Sequence, residues 1–277
     1  MRVTIITDST ADLIPAVKAK VLTVPLTVHF GDTEYIDGIT IDHRTFYEKL
    51  IETDVIPSTS QATPAAFAEK YALVDSAVVI TLSSALSGTY QSACIAAEDR
   101  DTIFVVDSGS AAIGTGILVE RAITLAEEGL DAAAIAARLE EEKKNICVVA
   151  LVDTLEYLKK GGRISASVAF AGTLLNLKPV LAIREGEIHM LGKARGSRQG
   201  NNLLVQEIEK AGGVDFSRPL LLGYTGLSDH LLKKYIEDSR HLWEGGTDLL
   251  RTTMVGSVIG THAGPGAVAV AFFRKHP

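Results

Sequence analysis

The sequence has little with which to cross-link or anchor itself. Two cysteines, Cys94 and Cys147, are all that its 277 residues contain. Both lie far apart inside apolar stretches, so they read as small buried hydrophobes rather than as a disulfide. No run approaches the roughly 18 consecutive apolar residues of a membrane span. An acid, Asp8, arrives too early for the apolar region of a signal peptide, and the expected location is cytoplasmic. Positive charge is in deficit: 27 Lys and Arg against 34 Asp and Glu give a net charge of -7, which argues against nucleic acid as a partner.

Chemical signatures are scarce as well. The seven histidines are scattered without ligand spacing, so no metal site is expected. The 109–115 stretch has two glycines but lacks the lysine of a phosphate loop. No Gly-x-Ser-x-Gly elbow surrounds Ser87. The carboxylates are many, but nothing pairs two of them as acid and base. No cofactor is expected.

What is present is material for a large core. Hydrophobic residues make up 47% of a chain long enough for two domains. Short β-branched runs at 2–7, 21–28, 78–82, 103–107 and 146–152 read as strands. Helical patterns at 46–52, 64–72, 92–98, 111–128 and 131–144 separate them. This alternation predicts an α/β fold with a doubly wound, mainly parallel sheet. Ligands of such sheets lie beyond the carboxyl ends of the strands. The texture changes near residue 160. A hairpin turns at Glu185-Gly186, helical patterns follow at 198–211 and 228–243, and strands at 220–224 and 267–273. The expected division is an N-terminal α/β domain over 1–160 and a second α/β domain, a mixed sheet plus helices, over 161–277. The ligand is expected between them.

Hydroxyls crowd two turns. Ser58, Thr59 and Ser60 precede Pro64 at a helix start, and Ser83, Ser84, Ser87 and Thr89 follow the 78–82 strand. A cap needs one hydroxyl. The surplus can offer donors to an anion. The run Lys159-Lys160-Gly161-Gly162-Arg163 reads as a helix end with a glycine stop. Arg163, leaving that stop on an exposed basic loop, suits an anionic group or partner. His262 sits in a small-residue loop before the last strand, where its ring can reach a ligand.

Taken in order along nearly the whole chain, these segments resemble the DegV family, whose characterised members include the fatty-acid-binding FakB subunits. The resemblance rests on Thr7-Asp8-Ser9-Thr10-Ala11-Asp12, Tyr35-Ile36-Asp37-Gly38, Pro57-Ser58-Thr59-Ser60-Gln61, the 86–93 and 155–164 runs, Leu175-Asn176-Leu177-Lys178-Pro179, and His262-Ala263-Gly264-Pro265-Gly266. One departure is visible: Ala62 stands where the family usually has proline. The resemblance implies a bacterial carrier without catalytic groups, in which one long-chain fatty acid lies between two α/β domains. It implies that the carboxylate meets Thr59, Ser87 and His262, with Ser60, Gly88, Arg163 and Thr261 as further head-group or partner contacts. It also implies a fatty acid kinase as partner, with transient membrane contact. The competing reading is a small-molecule acyl hydrolase or transferase using Ser87 and His262.

Overall fold

The computed structural model describes residues 3–164 and 177–275. The 175–179 run, one of those that carry the family resemblance, therefore lies partly outside the described residues.

The first sheet is parallel. Strand β1 (Thr4–Asp8) runs into a short turn of helix and α1 (Pro15–Lys18), and β2 (Leu22–Val24) pairs beside it. The expected single strand over 21–28 is broken at Pro25, which has no N–H for a ladder. The next amide, Leu26, is held instead by the Ser9 hydroxyl at 3.1 Å. The chain then leaves the sheet, and β3 (Thr27–Phe30) forms a small antiparallel sheet with β4 (Thr33–Ile36). Helix α2 (His43–Glu52) follows, and β5 (Ser58–Ser60) pairs on the other side of β3. The first hydroxyl cluster is thus a strand, not a loop, with Thr59 opposite Val28.

Helix α3 (Pro64–Tyr71), β6 (Ala77–Thr81), α4 (Thr89–Ala97) and β7 (Ile103–Asp107) complete the parallel sheet in the order β2-β1-β6-β7. Alternate residues go to opposite faces. Ile6 and Val79 pack with Phe67, Tyr71 and Ala93 of α3 and α4. Ile5, Val78 and Ile80 pack with α5 (Ile113–Glu127) and α6 (Ala132–Glu142). Strand order reverses between β1 and β6, so the crevice expected at a switch point opens where Asp8 meets Leu82.

The second sheet begins earlier than the change of texture indicates. Strand β8 (Ile146–Leu151), grouped by sequence with the parallel strands, pairs antiparallel with two later ones. After α7 (Glu156–Lys160) come the hairpin β9 (Leu177–Arg184) and β10 (Glu187–Arg195), then α8 (Gly196–Lys210), β11 (Leu220–Tyr224), α9 (His230–Asp238) and β12 (Thr252–Met254). Helix α10 (Ser257–Ala263) and β13 (Val268–Phe273) end the described chain. The six-stranded order is β10-β9-β8-β13-β11-β12, mixed because only β11 and β12 run parallel. An apolar run shows that a strand is buried, but it does not say which sheet buries it.

Helix α5 sits between the two sheets. Leu118, Val119 and Ala122 face the first, and Ile113 and Ile117 face Val148, Leu221 and Ala271 of the second. That two-sided burial explains why its sequence is apolar nearly all round. The other face of the second sheet is covered by Leu204 and Ile208 of α8 and by Leu232, Tyr235 and Trp243.

Candidate functional site

A cavity of about 410 Å³ lies between the carboxyl-end loops of the first sheet and the inner face of the second. Its apolar wall follows from strand register. Leu181, Ala150, Ala269 and Gly223 stand opposite one another across β9, β8, β13 and β11, and all four line the cavity. The neighbouring row, with Val148 and Ala271, is filled by α5. Ala150, Ala269 and Gly223, the small residues of the first row, leave space that large ones would close.

Polar groups line the same cavity where the two halves meet. Thr59, Ser60, Gln61, Ser87, Gly88, Arg163 and His262 all border it. Thr59 Oγ1 and His262 Nε2 are 2.9 Å apart. The Ser87 hydroxyl lies 2.9 Å from that of Thr89 and accepts the Thr89 amide at 3.2 Å, so it opens α4 as well as facing the cavity. Ser60 is exposed and bonds His29 at 2.8 Å. Gly88 makes room for the Gln61 amide, which in turn donates to Ser92 at 3.0 Å. Gln61, absent from the expected contacts, is thus part of the wall. Its signal was present in the 57–61 run.

Three expectations are corrected. His262 is not in a loop: it lies in the last turn of α10. Gly260 in the same helix lets it press on α2, because a Cβ there would collide with Phe46 and Tyr47. Thr261 faces away from the cavity, buried, with its hydroxyl donating to the Ser257 carbonyl at 2.9 Å. A helix places successive residues about 100° apart, so His262 and Thr261 cannot both face the cavity. Arg163 is also not freely exposed. It is half-buried, and it donates to the Leu86 carbonyl at 3.2 Å and the Gly161 carbonyl at 2.5 Å. It thereby ties the α7 end to the turn before α4.

Burial, helped by the nearby Arg163 charge, pushes His262 down to about 4. The ring is therefore neutral at pH 7 and carries one N–H. Its Nδ1 is buried without a partner and faces Gly161, where a Cβ would collide with it. No group of three or more metal-ligating side chains converges among the described residues, and no described helix is long and apolar enough to cross a membrane.

Two α/β layers enclosing an apolar cavity with one polar wall define a small-molecule-binding class of protein. The family model for uncharacterised DegV proteins matches residues 2–275, and this chain belongs to the DegV family. A DegV domain-containing protein of Caldanaerobacter subterraneus is 33% identical over 290 residues, covering 99% of each chain. A DegV family protein from Thermus thermophilus, described for its fatty acid binding, superimposes with a TM-score of 0.86 at 33% identity, covering 99% of this chain and 100% of that one. The Streptococcus pneumoniae fatty acid kinase B3 protein, loaded with linoleic acid, shares the fold with a TM-score of 0.87 at 22% identity, covering 99% and 100%.

Proposed function

We propose that the protein is a non-catalytic carrier that binds one long-chain fatty acid in the 410 Å³ cavity. The observation behind this reading is the division of that cavity into a small-residue apolar trough and a hydroxyl-and-imidazole wall. The Thermus thermophilus relative, similar over the full chain, is described as fatty-acid-binding.

The energetics fit such a ligand. Burying a sixteen-carbon tail contributes on the order of 10 kcal/mol at roughly 0.8 kcal/mol per methylene, as an upper bound. A carboxylate buried without donors would cost much of that. An ionised carboxylate only accepts hydrogen bonds, so the hydroxyls facing it must donate. With the His262 proton on Nε2, the ring donates to Thr59 Oγ1. That frees the Thr59 proton for the ligand, and the chain of bonds strengthens itself. The unpartnered Nδ1 then carries only a lone pair, which costs less to bury than an unpaired N–H. Ser87 offers a second hydroxyl from the turn before α4, and Arg163 adds positive charge. Ser87 and His262, the pair that the hydrolase reading needs, share no hydrogen bond: Ser87 bonds Thr89, and His262 bonds Thr59. The hydrolase reading therefore has no hydrogen-bond support.

The bound acid is presented to a separate fatty acid kinase for acyl phosphate formation, as the resemblance to FakB subunits implies. Solvent extraction and mass spectrometry of undenatured protein test the carrier reading. One fatty acid per chain is expected. Absence of both co-purified lipid and saturable binding would overturn it. ATP-dependent acyl phosphate formation with the cognate kinase tests the presentation step.

A further inference from the structure

Hydroxyls crowd the turn after β6, and the head-group site accounts for Ser87 and Thr89 alone. Ser84 is exposed. Ser83 is buried, at 1% exposure, and each of its polar groups is engaged. Its amide donates to the Ser110 carbonyl at 2.7 Å, and its carbonyl accepts the Leu86 and Ser87 amides at 3.0 and 3.2 Å. Its hydroxyl accepts the Ala85 amide at 3.2 Å and donates to the Gly186 carbonyl at 2.8 Å. That single proton is spent on Gly186, so Ser83 has none for a ligand. Leu82, Leu86 and Ser87 border the 410 Å³ cavity, and Ser83 does not.

Gly186 stands at the tip of the β9–β10 hairpin with φ 80, and a Cβ there would come within 2.5 Å of Ser83 Oγ. Ile183 and Ile188, on either side of the tip, border the cavity. The Ser83 hydroxyl thus fastens the turn that carries Ser87 to a hairpin 103 positions away that walls the cavity. We propose that Ser83 is a positioning residue for the fatty acid head group, an inference that rests on the carrier reading above. Ser83 acts through Ser87. Its carbonyl holds the Ser87 amide, and its side chain fixes the turn against the second sheet. Ser87 accepts the Thr89 amide and, with Thr89 Oγ1 donating to it, keeps its own proton for the carboxylate. A directed hydrogen bond is lost when the turn drifts by an ångström, whereas burial of the tail is non-directional. Loss of the Ser83 tie should therefore be felt by the charged head and little by the tail.

The test is calorimetric titration of the full chain with decanoic acid, ionised, and with 1-decanol, which has a tail of the same length and no charge. In Ser83→Ala the acid should bind about fivefold or more weakly, and the alcohol should lose less than about twofold. Ser83→Thr, which keeps the hydroxyl, should return the acid toward its wild-type Kd. Gly186→Ala disturbs the same bond from the hairpin side and should repeat the acid-selective loss, so it decides the matter if Ser83→Ala does not fold. Equal weakening of acid and alcohol, as a purely structural serine would give, or an unchanged acid Kd, would overturn the positioning role while leaving the carrier reading intact. If neither variant folds, Ser83 is a structural residue and the proposal is rejected. A wild-type chain that binds neither compound, nor any longer acid, would remove the carrier reading itself.

Discussion

Thr59 and His262 are 203 positions apart in the chain and 2.9 Å apart in space. One stands in a three-residue strand beside the first sheet, the other in the last turn of α10. Their bond joins the two halves of the molecule at the polar wall of the cavity. Removing one member should therefore affect the ligand head group more than the fold. In Thr59→Ala, loss of one charge-assisted hydrogen bond costs about 1.5–3 kcal/mol, or about tenfold to a hundredfold in fatty acid Kd. Titration with a fluorescent fatty acid reads this. An unchanged Kd would remove Thr59 from the head-group site.

The neutral state of His262 makes a signed prediction for acid stability. Its folded value lies near 4, below the usual 6.5. Between those values the unfolded chain binds the extra proton, so this group's contribution is full above pH 6.5 and is lost as pH falls toward 4. The contribution is on the order of 3 kcal/mol. Asp12, raised in the fold, acts with the opposite sign, its stabilising effect fading as pH rises above 3.8 toward its folded value. The difference between wild type and His262→Gln isolates the histidine. Denaturant titrations should show the wild type losing more stability than the variant between pH 6.5 and 4. Parallel profiles would contradict the assignment.

Adjacent glycines at the end of α7 should respond differently to a methyl group. Gly161 has an ordinary helical conformation, but a Cβ there collides with His262 Nδ1. Gly162, at φ 69, has nothing within 4 Å of that position. Gly161→Ala should displace the imidazole, costing about 1–3 kcal/mol of stability, and weaken fatty acid binding as well. Gly162→Ala should cost about 1 kcal/mol of backbone strain and leave the Kd unchanged. Thermal melts and lipid titrations on both proteins separate the two effects.

Chain length should be readable at Ala150. It sits in the small-residue row between Leu181 and Ala269. Ala150→Leu adds three carbons to the trough and should exclude a similar length of tail, costing about 2 kcal/mol for a sixteen-carbon acid at roughly 0.8 kcal/mol per methylene. A ten-carbon acid should be affected less. Equal loss for both lengths would mean that the tail runs elsewhere.

Much of the architecture could be read locally. The alternation of β-branched runs with helical periods predicts the parallel sheet, and the 103–107 strand has the same bounds in sequence and structure. The glycine stop after α7 and the Glu185-Gly186 turn were likewise visible, because caps and turns depend on a few neighbouring residues. The hydroxyl clusters also stood out, since they exceed what capping requires. Sequence by itself thus determined the elements, the fold class and most residues of the polar wall.

Tertiary structure decided which of these meet. The 146–151 run is equally apolar for either sheet, and only its antiparallel register with β9 and β13 assigns it. That register lines up Ala150 with Ala269 and Gly223, residues on three separate strands, and no local pattern shows that they make a trough. The helical turn that aims His262 inward also turns Thr261 away, a difference invisible in a Gly-rich segment. Arg163 reads as a loop cation until its carbonyl partners are seen. Periodicity and propensity act over a few residues, whereas pairing, burial and charge depend on groups hundreds of positions apart that only the packed chain brings together.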